Sequence, residues 1–333
     1  MQPITAEMKL LNIRKEVMET IGESMDEFIT KYLRPIEENW QPADLLPSAN
    51  DPKFFEEIEE IQELAQEMDA DLLAVLIGDT ITEEALPTYE SWLMDIEGID
   101  QKDKDNSWTK WIRFWTAEEN RHGDLLNRYL YLSGRVNMRE LEVSTQYLLA
   151  DGFDIQTARD PYKSFVYTSF QETATNISHR RVATLASKTG NARLARMCGV
   201  IAADEARHAN AYKHFVQRIF EVDPSEIMLA FEDMMKKKIV MPAHFLRESG
   251  GKIGDLFTHF SDAAQRTMVY TTNDYIDILK SLLNEWDIDK IGGLTDSAEQ
   301  ARDYLMALPN RLERISSRIR IPEKQYEFKW IYR

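Results

Sequence analysis

The sequence predicts an all-α fold, a four-helix bundle core with additional helices packed on it, and three observations carry that prediction. Gly and Pro number 13 and 11 in 333 residues, together roughly 7% against a usual ~12%, which disfavours a turn-rich β architecture. From Asp51 to about Leu308 the chain reads as helix after helix, with apolar stripes at helical spacing between isolated breaker residues. One short pattern, an acid followed by Glu-x-x-His, occurs twice: Glu118-Glu119-Asn120-Arg121-His122 and Asp204-Glu205-Ala206-Arg207-His208. In a helix the i, i+3 spacing puts Glu and His of each copy on one face.

Taken in order, residues 1–50 read as a helix from about Thr5 to Thr30 and then a loop, because Pro42 and Pro47 keep the segment from Trp40 to Pro47 out of a helix. Residues 51–310 form the helical bundle, with breaks at Gly98, from Gln101 to Ser107, and at Ser133-Gly134, Gly152, Asp160-Pro161, Gly190, Asp223-Pro224 and Gly250-Gly251. None of these resembles a linker, so residues 1–333 are expected to form a single domain. In the tail, residues 311–333, Tyr326, Phe328 and Trp330 alternate with polar residues, and this period of two predicts a short C-terminal β-hairpin.

Composition excludes several classes. A formal net charge of −17 argues against nucleic acid as a partner. No apolar run approaches the ~18 residues of a membrane span, and the acid-rich stretch from Met1 to Tyr32 carries no secretory apolar region. The expectation is a chain of the bacterial cytoplasm, with the stroma of a plastid as the alternative. The single Cys198 permits no internal disulfide and no Cys-x-x-Cys metal site, and reads as a core residue.

One Glu-x-x-His is most often a solvated helix face. Here both copies sit in stripes that must face inward: Trp115, Glu119, His122, Leu126 and Tyr129 on one helix, and Ile201, Glu205, His208, Tyr212 and Phe215 on the other. A buried carboxylate needs a partner, and a metal serves several at once. Two further acids lie on comparable stripes, Glu83 with Leu76 and Thr80, and Glu172 with Phe165 and Ser169. The chain order is then Glu, Glu-x-x-His, Glu, Glu-x-x-His, with separations of 36, 53 and 33 residues, a spacing that suits four helices around a carboxylate-bridged pair of metals. Carboxylate and imidazole without thiolate suit iron or manganese. Glu118 and Asp204 are placed to accept the outer imidazole N–H groups. Pro87, four residues after Glu83, predicts a kink beside that ligand.

The same residues carry a resemblance. The stretches Gly78-Asp79-Thr80-Ile81-Thr82-Glu83-Glu84-Ala85-Leu86-Pro87-Thr88-Tyr89, Trp115-Thr116-Ala117-Glu118-Glu119-Asn120-Arg121-His122-Gly123-Asp124 and Tyr167-Thr168-Ser169-Phe170-Gln171-Glu172, with Met241-Pro242-Ala243-His244, resemble the soluble acyl-acyl carrier protein desaturases from about residue 30 onward. The resemblance implies a ferritin-like fold, a homodimer and two irons per subunit. It also implies a reaction that uses O2 and two electrons from ferredoxin to place a cis double bond in a saturated acyl chain borne on acyl carrier protein. By position it puts the metal ligands on Glu83, Glu119, His122, Glu172, Glu205 and His208, an oxygen-handling role on Thr175, and an electron route on Trp40 with His122 and Asp204.

The acyl chain would need an apolar tunnel, for which Trp92, Leu93, Ile96 and Phe165 are the candidates, each also explicable as core filling. Trp92, Asp95 and Ser164 depart from the family pattern, which leaves chain length open. Docking an acidic carrier on an acidic protein needs local positive charge. Lys236, Lys237 and Lys238 offer one patch; the segment from Arg311 to Arg333, with seven basic and three acidic residues, offers another. Two alternatives share the metal geometry: a ribonucleotide reductase small subunit, and a ferritin-like protein that binds iron or scavenges peroxide.

Overall fold

A connection of only three residues, Thr189-Gly190-Asn191, joins the two longest helices and forces them antiparallel. Gly190 takes the left-handed φ of 81° that closes the first helix, and the Asn191 side chain accepts from Leu194 N–H to open the second. In the computed structural model, which describes residues 6–332, these are α8 (Pro161–Lys188) and α9 (Ala192–Val222), and they pack along their whole length.

The other helices among the described residues are α1 (Ala6–Gly22), α2 (Met25–Tyr32), α3 (Phe54–Gln66), α4 (Ala70–Glu84), α5 (Leu86–Met94), α6 (Ser107–Ser133), α7 (Met138–Asp151), α10 (Pro224–Lys237), α11 (Phe257–Arg266), α12 (Thr272–Glu285) and α13 (Asp296–Ser316). The pair α4 and α6 packs beside α8 and α9, and these four make the central bundle. α4 is buried on nearly every side from Asp71 to Ile81, as an all-round apolar helix must be. Its start is fixed by Asp69, whose carboxylate accepts from Asp71 and Leu72 N–H. Asn106, Asn137 and Asp160 cap α6, α7 and α8 in the same way. No helix among the described residues is long and apolar enough to cross a membrane.

Four expectations need correction. The N-terminal helix is two helices, broken at Glu23-Ser24. Gly22 lies against the Ser107 and Trp108 side chains, where a Cβ would come within 2.6 Å of Ser107 Oγ, and the turn lets α1 lie on α8 and α9 while α2 packs on α6 and α9. The kink at Pro87 is a full break: α4 ends at Glu84 and α5 begins at Leu86, with proline in the first turn of the new helix.

The C-terminal hairpin does not form. Ile331 makes a single antiparallel bridge to Val136, after α6, supported by Asn137 N–H to Trp330 O at 2.7 Å and Tyr332 N–H to Arg135 O at 3.0 Å. Trp330 is buried and its indole donates to Ser144 Oγ. The alternation correctly marked extended chain, but a period of two says nothing about which backbone the chain will pair with. The bundle also outruns its expected end near Leu308, because α13 carries Pro309 inside it and continues to Ser316.

Candidate metal centre

Four helices deliver six side chains to one point. Glu83 comes from the last turn of α4, Glu119 and His122 from the middle of α6, Glu172 from α8, and Glu205 and His208 from α9. They form two overlapping groups, Glu83, Glu119, His122, Glu205 and Glu119, Glu172, Glu205, His208, in each of which one ligand atom per residue lies within 4.8 Å of the others. The groups share Glu119 and Glu205. Glu119 puts one oxygen 2.5 Å from His208 Nδ1 and the other 3.4 Å from His122 Nδ1, while Glu205 Oε1 lies 3.2 Å from His122 Nδ1. Two carboxylates that each reach both sides, with one terminal carboxylate and one imidazole per side, are the donor set of a bridged pair of cations.

The chemistry inside the cluster asks for those cations. Glu119 Oε1, His122 Nδ1, Glu172 Oε2 and His208 Nδ1 are all buried and crowd one another without the alignment of a hydrogen bond, an arrangement proteins rarely tolerate without an ion. Burial pushes the Glu172 carboxyl well above the usual range, and the neighbouring Glu119 and Glu205 push it further. The imidazoles move the same way: burial opposes the charged form of His208, yet Glu119 and Glu118 raise it to about 9. Burial also works against ionisation of Glu83, but the His122 and His179 imidazoles hold its carboxyl at about 2. Protons here hold together acids that a metal would hold better, and the residues therefore fit a two-metal centre.

The acid before each Glu-x-x-His serves the opposite helix. Glu118 of α6 accepts from His208 Nε2 of α9 at 2.9 Å, and Asp204 of α9 lies 3.4 Å from His122 Nε2 of α6. Each acid is then tied down by arginine: Arg207 spans both, at 2.7 Å from Glu118 and 2.6 Å from Asp204, and Arg121 reaches Asp204 at 2.8 Å. Trp40, half-buried in its loop, donates its indole N–H to Asp204 at 3.0 Å and stacks nearly parallel to His122 with ring centroids 6.0 Å apart, and the Arg121 guanidinium lies over its ring at 4.2 Å. Thr175 Oγ1 donates to Glu205 Oε2 at 2.5 Å. Trp115, assigned to packing, donates its indole N–H to Glu172 Oε1 at 3.1 Å.

A cavity of about 690 Å³ opens beside the cluster, walled by Glu83, Glu119, Trp115, Thr175, Tyr89 and Phe170 at the metal end and by Met241, Phe257, Phe260, Tyr275 and Leu312 further out, and it reaches the exposed Lys236, Lys237 and Lys238. Lys236 and Lys237 pair with Glu232 and Asp233 one turn back. In the second basic segment, Arg311 lies over Tyr304, itself on the cavity wall.

The four tunnel candidates do not line this cavity. The break at Ala85 carries α5 toward the loop after α7, where the Trp92 indole donates to Phe153 O and Arg159 to Asp95 O. Leu93 and Ile96 are core there, and Phe165 stacks on Trp108 at 5.0 Å.

Sequence reasoning also passed over Arg121 and Arg207, although both copies of the motif carry arginine just before the histidine. It missed His179 as well. That residue lies two helical turns beyond Glu172 on the same face of α8, and its Nε2 is 2.9 Å from Glu83 Oε1.

The family model for fatty acid desaturases matches residues 13–332. Stearoyl-[acyl-carrier-protein] 9-desaturase of Spinacia oleracea chloroplasts is 48% identical over 95% of this chain and 80% of its own length, and the enzyme of the same name from Ricinus communis is 47% identical over 95% and 81%. The X-ray structure of DesA2 from Mycobacterium tuberculosis H37Rv superposes with a TM-score of 0.53 at 16% identity, covering 87% of this chain and 99% of that one, and so shares the fold. The chain belongs to the fatty acid desaturase family.

Proposed function

We propose that this protein is an acyl-[acyl-carrier-protein] desaturase that places a cis double bond in a saturated acyl chain. The observation that carries the reading is the junction of two features: a doubly bridged six-residue ligand set, and a largely apolar cavity that runs from it to exposed lysines. The stearoyl-acyl carrier protein desaturases that match over 95% of the chain support the same reading. The storage and reductase alternatives leave that cavity without an occupant.

Removing two hydrogens from adjacent unactivated methylenes is beyond any side-chain acid or base. Two irons bound by Glu83, Glu119, His122, Glu172, Glu205 and His208 would supply the oxidising power, drawing on O2. The overall balance is one saturated acyl chain, O2, two electrons and two protons giving one alkene and two waters. The protein's own part is to bind and shield. Leu86, Phe170, Phe257 and Phe260 along the cavity wall would hold the chain extended and exclude water. The Thr175 hydroxyl, on the cavity wall and bonded to Glu205, is set to hold or pass a proton at the edge of the metal pair. Trp40, Asp204 and His122 form a contiguous path from the half-exposed loop to the centre, and we assign it to electron entry from a ferredoxin. Lys236, Lys237 and Lys238 at the outer end are assigned to the acidic acyl carrier protein. We further propose a homodimer, and a bacterial cytoplasm in preference to a plastid stroma.

The test is aerobic incubation with acyl-loaded carrier protein, ferredoxin, its reductase and NADPH, followed by fatty-acid analysis. A monounsaturated product is expected; iron uptake without product would overturn the assignment. Sedimentation of the purified protein tests the dimer.

A further inference from the structure

Most groups of the ligand set carry an outer partner that fixes how they face the centre. His122 has Asp204, His208 has Glu118, Glu172 has the Trp115 indole, and Glu205 has the Thr175 hydroxyl. Glu83, the one ligand on α4, has the His179 imidazole of α8 at 2.9 Å. His179 is 1% exposed, so its hydrogen bonds are made within the protein. Its Nδ1 is buried with no hydrogen-bond partner, so Glu83 is the one group among the described residues that its ring is hydrogen-bonded to.

We propose that His179 is a positioning residue for Glu83. A carboxylate oxygen can only accept, so the 2.9 Å contact requires the hydrogen on His179 Nε2, which donates to Glu83 Oε1. With Oε1 held by His179, Glu83 keeps Oε2 for the centre, on the side of His122 Nδ1 at 3.6 Å. On the other side Glu172 has Oε1 on Trp115 and Oε2 toward His208 Nδ1 at 3.8 Å. Both terminal carboxylates therefore offer one free oxygen, but one is steered by an imidazole and the other by an indole. The two metal positions are inequivalent for that reason, and the Glu83 position depends on a histidine from another helix. Asp79, one turn before Glu83 and bonded to Ser178 Oγ at 2.9 Å, closes the pocket on the cavity side.

This inference rests on the two-metal reading, and the experiment separates them. Anaerobic titration with Fe(II), read by bound metal and by the Mössbauer spectrum of 57Fe-loaded protein, is run on the wild type, His179→Leu and His179→Gln, with helicity checked by circular dichroism. The wild type should bind two ions with distinct signatures. His179→Leu should weaken one of them on the order of 10- to 100-fold and change only that signature. His179→Gln, which retains an N–H donor, should recover most of the loss. A wild type without a pair of ions would overturn the metal reading itself. A pair left untouched by His179→Leu, or equally impaired in the Leu and Gln variants, would overturn this proposal alone. Should His179→Leu fail to fold, His179→Met takes its place beside His179→Gln, and identical iron binding in the two overturns it.

Discussion

The ligand cluster and the cavity beside it are built on opposite rules. In the cluster every polar atom has a stoichiometric demand: Glu118 answers His208, Asp204 answers His122, Trp115 answers Glu172 and Thr175 answers Glu205. In the cavity the walls come from α4, α5, α6, α8, α10, α11, α12 and α13 and the segments between them, and on the apolar stretches any apolar group of suitable size serves. The difference teaches where substitutions will act all-or-none and where they will act by degree. A group with one partner fails completely when that partner is removed, whereas a wall yields in proportion to the volume moved.

The largest effect should follow from cutting the cluster. Glu172→Ala is expected to lose iron occupancy and all detectable desaturation while keeping its helicity. Burial and the adjacent Glu119 and Glu205 already push the Glu172 carboxyl up, so in the metal-free protein the removal relieves like-charge crowding and the melting temperature should not fall. Metal analysis, product analysis and a melt check this; full activity in the variant would remove the residue from the ligand set.

A smaller loss is expected at Thr175, which touches the cluster without belonging to the ligand set. Thr175→Val keeps the shape but loses the donor to Glu205; it should retain both irons and lose on the order of tenfold in kcat, about 1.4 kcal/mol, with KM little changed. Thr175→Ser should restore most of the rate. A Val variant at wild-type rate would reduce the hydroxyl to an intrahelical bond.

The cavity is sharpened by a wall residue that never meets a ligand. At Gly78 an added Cβ would lie 2.1 Å from the Phe260 ring, so Gly78→Ala must drive that ring, which lines the cavity, from its place. The cost in stability should be about 1–3 kcal/mol, as for other overpacked cores. The distribution of acyl lengths accepted should shift while iron content stays at two. Titrating denaturation and a chain-length series measure the two halves of that statement.

The contrast also explains what could be read from the sequence. The six converging side chains and their chain order were legible because helical periodicity and the cost of burying charge both act on named residue types at fixed spacing. The outer partners were legible in part: Glu118 and Asp204 are neighbours of the ligands, whereas His179 lies on another helix from Glu83 and joins it only through the α4–α8 packing. The tunnel candidates Trp92, Leu93, Ile96 and Phe165 have the right chemistry but do not line this cavity, because the path of α5 after the break at Ala85 decides which apolar residues face open space, and no local pattern encodes that. The tail failed for a related reason, since Phe328 and Trp330 announced extended chain while the bridge to Val136 depends on distant packing.

The smallest effect expected is a pH dependence of the metal-free protein that bound metal reverses. His208, His122 and His179 are raised by neighbouring acids against the effect of burial, and burial raises Asp79 to about 6. A group whose folded pKa exceeds its unfolded value stabilises fully below the unfolded value and loses that contribution as pH rises through the folded one. For His208 the window runs from about 6.5 to about 9, and His122 and His179 act in the same direction. The chelated protein should therefore melt lower at pH 9 than at pH 6.5. Metal binding displaces these protons, so affinity must rise over the same interval and the stabilisation by Fe(II) or Mn(II) must grow with it. Parallel melts with and without metal at several pH values test the linkage. Curves that keep a constant separation would mean that the imidazoles and the metal do not compete for the same nitrogen atoms, and the all-or-none side of the comparison would lose its physical basis.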